Sequence, residues 1–281
     1  MSSLIPGTFA VIKLSANEAA KTYHSADDRC YFERERDVYQ RLGQHPSIAA
    51  LLRIRDQVII LERGQCPREI GRKQEVSDEK KRDWIAELAC GLEYIHSRNV
   101  IPADLNAANA IVCKDAPNEE HAKWIDFVGS SIDGSEPLAT YDSYSYRPPE
   151  PAHTEVSIET DIFAFGCTVY EIETGAPPYF NEMRAMDPGS IIPYVEKRYR
   201  EVLYPSTENF RYESIITGCW HGRYRSMRDL REELALNDSR QSSAAGYPRL
   251  LLGLVSLWRV VRQRVAGFWR FLMPHWLNFS I

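Results

Sequence analysis

Short β-rich runs fill the first half of this 281-residue chain, and helical periodicity fills most of the second. Phe9 to Leu14 reads as a strand behind the turn signal Pro6-Gly7, and Val58 to Leu61 reads as a second, buried strand. Between them Glu33 to Leu42 has helical spacing, stopped by Gly43 and by His45-Pro46. Trp84, Ile85, Leu88, Leu92 and Ile95 recur at helical intervals and predict a long helix ending near Ser97. Ala110 to Val112 and Trp124-Ile125 predict a strand pair joined by a polar turn. From Ile158 to about Leu236 the pattern is helical, broken at Gly175-Ala176-Pro177-Pro178. Strands first and helices later predict an α+β fold of two lobes with a cleft between them.

Charge is unevenly spread. After Asp238 there is no acid at all, while Arg240, Arg249, Arg259, Arg262, Arg264 and Arg270 make the tail basic. The formal net charge of −5 therefore conceals a more acidic body, which argues against nucleic acid as the main partner. Six scattered cysteines with no CxxC give neither a zinc site nor a disulfide framework. The first residues lack the features of a signal peptide, and no apolar run reaches the eighteen or so residues that spanning needs. A cytoplasmic protein is expected.

Five polar residues carry the chemical signal. Lys13 closes the strand string AVIK, and Glu35 lies on the following helix, where a buried ammonium would find a carboxylate partner. Asp104 and Asn109 stand five apart in IPADLNAANAIV, and Asp126 follows in WIDFVGS. Two carboxylates and an amide oxygen suit a hard cation such as Mg²⁺. With Asn109 and Asp126 on the metal, Asp104 is left to accept a hydroxyl proton. Taken singly, Lys13 and Glu35 read as well as a surface ion pair, and the other three as turn or helix caps.

Taken in order, these strings resemble the eukaryotic protein kinase family over roughly residues 4–237. The resemblance implies that Lys13 holds the nucleotide phosphates, oriented by Glu35, and that Asp104 is the catalytic-loop base. It implies Asn109 and Asp126 as the metal-binding amide and aspartate. RPPE ending at Glu150, DIFAFG from Asp161, TGAPPY and the GCW ending at Trp220 continue the series, with Arg225 as the late arginine that pairs with Glu150. Small-molecule kinases share the Asp-xxxx-Asn loop but are not expected to carry that later set. The implied fold is a shortened, strand-rich N-lobe, a helical C-lobe and a basic helical tail. The implied activity is transfer of the ATP γ-phosphoryl group to a protein hydroxyl with Mg²⁺, in a protein substrate or partner. By the same resemblance Leu61 is the gatekeeper, Glu62 to Gly64 the hinge, and Val11 and Ile111 sandwich the adenine. Plain strand core fits those apolar residues equally.

The chain departs from the family pattern at four places. Only twelve residues precede Lys13, with Gly7 the sole glycine, too few for a complete glycine-rich loop. A shortened start and weakened nucleotide affinity are both expected from that. Pro102 and Ala103 replace the histidine and arginine before the catalytic aspartate, so activity should not depend on a phosphate bound at Ala103. Val128 replaces the glycine after Asp126-Phe127, which predicts a stiffer turn that keeps Asp126 in the cleft. Asn106 and Ala108 do not name the acceptor, whereas Ser143 and Tyr146 are placed as in the serine/threonine type. A catalytically dead pseudokinase acting as a binding module is the alternative.

Residues 238–247 read as a linker by composition, 248–273 as a basic amphipathic helix, and 274–281 as a tail. Burying Arg259, Arg262 and Arg264 mid-bilayer would cost roughly 8–10 kcal/mol, so the helix is not expected to span. It is expected to contact an anionic membrane peripherally or to pack on the kinase body or a partner helix.

Overall fold

The computed structural model describes residues 9–23, 28–116, 119–138 and 156–246. A four-stranded antiparallel sheet comes first, in the order β1-β2-β4-β3. Strand β1 (Phe9–Lys13) turns into β2 (Glu18–Tyr23) through a short loop whose Leu14 and Ser15 N–H groups both donate to Glu18 O. Helix α1 (Arg29–Leu42) follows, and buries Phe32, Glu35, Val38, Tyr39 and Leu42, the face expected from its spacing. Strand β3 (Leu51–Arg55) forms the outer edge beside β4 (Val58–Glu62). The sequence reading found β1, α1 and β4 but missed β2 and β3. Two alanines in β2 and two arginines in β3 dilute the β-branched signal on which strand recognition rests.

Helix α2 (Pro67–Lys73) leads into the long α3 (Asp78–Ser97), which Ser77 caps by accepting from the Lys80 N–H. The short β5 (Val100–Ile101) and the 3₁₀ turn Ala107–Asn109 precede a hairpin of β6 (Ala110–Ala116) and β7 (Glu119–Trp124). β5 pairs with β8 (Ser131–Ile132). The Trp124 indole N–H donates to Leu88 O at 2.8 Å and fixes β7 to α3.

Helix α4 (Ile158–Thr174) is the axis of the helical lobe. It opens with a capping box between Ser157 and Thr160 and is buried on nearly every face, as an apolar-all-round helix must be. A Cβ added to Gly166 would lie 2.5 Å from Cys219 Cβ, so α4 and α7 (Glu213–Trp220) approach closely only because glycine stands there. Helices α5 (Phe180–Met183) and α6 (Pro188–Arg200) lie between them in sequence, and α8 (Met227–Gly246) follows. One contiguous core runs from Tyr23 and Val38 through Leu88 and Trp124 to Phe165, Ile216 and Leu230.

The chain divides into two compact units, Met1–Leu234 and Ala235–Ile281. The second is helical as far as Gly246, which corrects the linker expected at 238–247. Its Ser, Gln and Ala residues are compatible with helix, and no proline intervenes before Pro248. The amphipathic segment 248–273 and the tail 274–281 lie outside the described residues. Among the described residues no helix is long and apolar enough to cross a membrane.

Candidate active site

Strand β2 is an inner strand, and it sets Lys21 opposite Val11 on one side and Ile59 on the other. The Lys21 side chain is 6% exposed, and its ammonium lies 2.7 Å from Asp126 Oδ1 and 3.1 Å from Glu35 Oε2. Two residues along β2 and on the same face, Tyr23 donates its hydroxyl to Glu35. The Phe127 N–H also donates to Glu35, at 3.2 Å. One buried carboxylate on α1 thus gathers a strand, a helix and the segment after Asp126.

The electrostatics follow from that packing. Burial works against the Lys21 ammonium, but Asp126 and Glu35 outweigh it and hold its pKa above the ordinary 10.5. Burial raises the Glu35 carboxyl, with Lys21 pulling the other way. Burial and then Glu35 push the Tyr23 phenol far up, so it stays a donor.

The site lysine is therefore Lys21, and the assignment of Lys13 is corrected. Lys13 is the last residue of β1, an edge strand, and pairs in register with Ala19 beside the turn. Lys21, on an inner strand, is the lysine that is buried between the Asp126 and Glu35 carboxylates. Twenty residues precede Lys21, and β1 precedes the strand that carries it. Gly7 lies outside the described residues.

The loop after β5 carries Asp104. Ala103 sits at φ +67° and Asp126 at φ +64°, left-handed conformations that non-glycine residues adopt at a cost. Asp161, fully buried at the start of α4, offsets part of that cost. Its Oδ1 accepts the Ala103 N–H at 3.3 Å, and its Oδ2 lies 2.8 Å from His96 Nε2. This is the anchoring expected of DIFAFG. Pro102 offers no side-chain hydrogen bond, but its carbonyl accepts from Ser130 Oγ at 3.3 Å. Val128 is not among the left-handed residues and packs against the core. Phe127 is buried edge-on to Tyr39 of α1, ring centroids 5.2 Å apart, and Asp126 faces the cleft lysine as expected.

Asp104 accepts from both neighbouring amides. Asn109 Nδ2 donates to Asp104 Oδ2 at 2.9 Å and to Asp104 O at 2.8 Å, and Asn106 Nδ2 donates to Oδ1 at 3.2 Å. The Ile125 N–H donates to Asn109 O at 3.0 Å, which sets Asp126 beside the same loop. With its Nδ2 committed to Asp104, Asn109 is left with Oδ1 as an oxygen that could hold a cation, and Asp126 adds a carboxylate. That hard oxygen pair fits Mg²⁺, which takes one or two protein ligands and completes its shell from phosphates and water. Among the described residues no group of three or more His, Cys, Asp or Glu gathers into a richer site.

The segment joining the lobes is tightly constrained. Leu61 is buried on β4, and Ile111 is buried with Ala49 and Cys113 in a small cluster of their own. The Glu62 side chain accepts from Lys123 Nζ at 2.7 and 2.9 Å and from the Ala50 N–H at 3.1 Å, so its carboxylate serves the fold. Gln65 and Val112 exchange main-chain hydrogen bonds at 3.0 and 2.7 Å. A Cβ on Gly64 would meet Val112 O at 2.5 Å, so glycine is required where this segment crosses β6.

Two arginines of α1 hold the chain after Asp126. Arg34 donates to Ser130 O and to Glu136 O, and Arg41 forms an ion pair with Asp133. The sequence reading missed these arginines, Tyr23 and Lys123. The recurrence of Lys21 and Tyr23 at strand spacing could have flagged the first strand face. Ser143, Tyr146 and Glu150, the expected partner of Arg225, lie outside the described residues.

The family model of the protein kinase domain matches residues 7–230. The Xenopus laevis protein named mitogen-activated protein kinase kinase kinase 13-A is 26% identical over 228 residues, covering 77% of this chain and 23% of the relative. Its Homo sapiens counterpart, mitogen-activated protein kinase kinase kinase 13, is 25% identical over the same shares. Mitogen-activated protein kinase kinase kinase 17 of Arabidopsis thaliana is 32% identical over 104 residues, 36% of this chain and 27% of the relative. The match spans about a quarter of the length of these relatives.

Proposed function

Because the chain belongs to the protein kinase domain family, we propose that it transfers the γ-phosphoryl group of ATP to a hydroxyl of a protein, of the serine/threonine type. The observation that carries the reading is the cluster of buried Lys21 and Glu35 with half-buried Asp126, with Asp104 and Asn109 on the adjoining loop. Phosphoryl transfer is catalysed chiefly by positioning and electrostatics, and this cluster supplies both.

Lys21 holds nucleotide phosphates and is oriented by Glu35, whose other donors, Tyr23 and Phe127, keep the carboxylate from turning away. Leu61, the main chain of Glu62 to Gly64, Val11 and Ile111 form the adenine end of the site. Asn109 and Asp126 hold Mg²⁺, which when bound neutralises phosphate charge. Asp104 orients the acceptor hydroxyl and takes its proton as the oxygen bonds to the γ-phosphorus and the bond to the ADP oxygen breaks. The relatives named mitogen-activated protein kinase kinase kinase support a protein kinase as its protein substrate. Ser143 and Tyr146 support the serine/threonine type by their place in the chain.

Two measurements on the full chain test this. A thermal shift with ATP–Mg²⁺ is expected in both the parent and Asp104→Asn, whereas transfer to dephosphorylated casein is expected in the parent alone, on serine or threonine. A shift without transfer in the parent would leave a nucleotide-binding pseudokinase, and neither signal would leave a scaffold.

A further inference from the structure

Asp104 receives its two amide donors from unequal sources. Asn109 is fixed by its own second bond to the Asp104 carbonyl. Asn106, by contrast, is fixed both from within the loop and from outside it. It is 2% exposed, and its Oδ1 accepts from the Ala108 N–H at 2.8 Å and from Arg68 Nη2 at 3.3 Å. Those two donors compel the amide to present Nδ2 to Asp104, since the flipped amide would set N–H against N–H.

Arg68 belongs to the first turn of α2, directly after the segment joining the lobes. Its guanidinium pairs through Nε and Nη2 with both oxygens of Glu171, a carboxylate 2% exposed on α4. Such a fork fixes the plane of the guanidinium, which a point charge cannot do. A second contact runs alongside, from Cys66 Sγ to Ala107 O at 3.3 Å. The start of α2 therefore touches the catalytic loop at two adjacent residues, and one of those contacts ends on the proposed base.

We propose that Arg68, held by Glu171, is a positioning residue for Asp104, acting through the amide of Asn106. This rests on the phosphotransfer reading above. The guanidinium polarises the Asn106 carbonyl, which strengthens its N–H as a donor, and holds the amide against α4 rather than letting it follow the loop. Asp104 thereby keeps the rotamer in which one oxygen faces Asn109 and the other Asn106. Arg68 itself touches no reacting atom.

The test is a double-mutant cycle on the full chain, with ATP–Mg²⁺ and dephosphorylated casein. Arg68→Lys keeps a charge for Glu171 but loses the fork that reaches Asn106. Its kcat is expected to fall about 5- to 20-fold, while KM for ATP and the dissociation constant for ADP stay within about twofold. On an Asn106→Ala background the same substitution is expected to change nothing further. A purely structural brace between α2 and α4 would give the same loss on both backgrounds, and that result overturns the proposal. So does a kcat equal to the parent's, or a KM that rises in step with the fall in kcat. Should Arg68→Lys fold poorly, the pair Arg68→Met with Glu171→Leu removes both charges together, and the same cycle decides. Absence of transfer in the parent removes the phosphotransfer reading and this inference together; an active parent with an indifferent Arg68→Lys removes this inference alone.

Discussion

The Lys21 ammonium lies 2.7 Å from Asp126 Oδ1, across 105 positions of chain. That contact joins the strand-rich part of the molecule to the segment after β7, which carries one of the two proposed metal-binding residues. Lys21→Met removes the cation and leaves Glu35 buried with Tyr23 and Phe127 as its donors. Transfer should fall by about 100-fold or more, the scale for loss of one preorganised electrostatic contact. Lys13→Met, at the end of β1, should stay within about threefold of the parent by comparison with that loss. The assay is initial-rate phosphotransfer by both variants; the reverse ranking would restore Lys13 to the site.

Activity should also be indifferent to phosphate on the chain after Asp126. The methyl of Ala103 has no charge or donor to receive one, and Arg34 and Arg41 already fasten α1 to Ser130, Glu136 and Asp133. The Arg41–Asp133 pair is exposed and screened by solvent, so Arg34, with two carbonyl contacts, carries more of the hold. Phosphatase treatment is expected to leave the rate unchanged, whereas Arg34→Ala is expected to lower it. A strong rise in rate on phosphorylation would refute this.

Asp161 gives a test of the loop's strained backbone. Asp161→Ala leaves the Ala103 N–H and His96 Nε2 in the interior without that acceptor, a loss of about 1–3 kcal/mol for each buried group left unsatisfied. Asp161→Asn keeps one acceptor and should cost less. Urea unfolding of the two variants ranks them, and equal stability would mean that the loop does not need Asp161 to hold φ +67° at Ala103.

The chemistry of the site was more legible in the sequence than its strand face. Asp104, Asn109 and Asp126 are bound to short loops, where a residue and its spacing nearly fix the geometry. Glu35 was legible because α1 has a clear buried stripe. Lys21 was not, because AVIK at the end of β1 has the β-branched residues that mark a strand, whereas Glu18–Tyr23 has two alanines. Which of two adjacent strands lies inside a sheet is a property of pairing with β4, and no local string encodes it. The contacts of Arg34 and Lys123 were hidden for a related reason. Their partners are 61 to 102 residues away, and a charged residue on a helix or strand ordinarily reads as solvated surface.

The ion pair between Glu62 and Lys123 makes a prediction about acid. Their side chains are 18% and 12% exposed, and the pair joins β4 to β7 just before Asp126. Burial alone would raise the Glu62 carboxyl, but the Lys123 ammonium and the Ala50 N–H outweigh it and hold its pKa below the ordinary 4.5. A carboxyl depressed in the folded state binds fewer protons there than in the unfolded chain, so its contribution is present above pH 4.5 and is lost as pH falls below it. Glu62→Gln removes the titration. The stability difference between parent and variant, measured by urea unfolding, should be constant between pH 6 and 7, by the order of magnitude of these titrations about two units above the ordinary carboxyl range. It should then shrink steadily as the solution is taken below that range. A gap that stays the same on acidification would mean that Glu62 does not gain its hold from being charged.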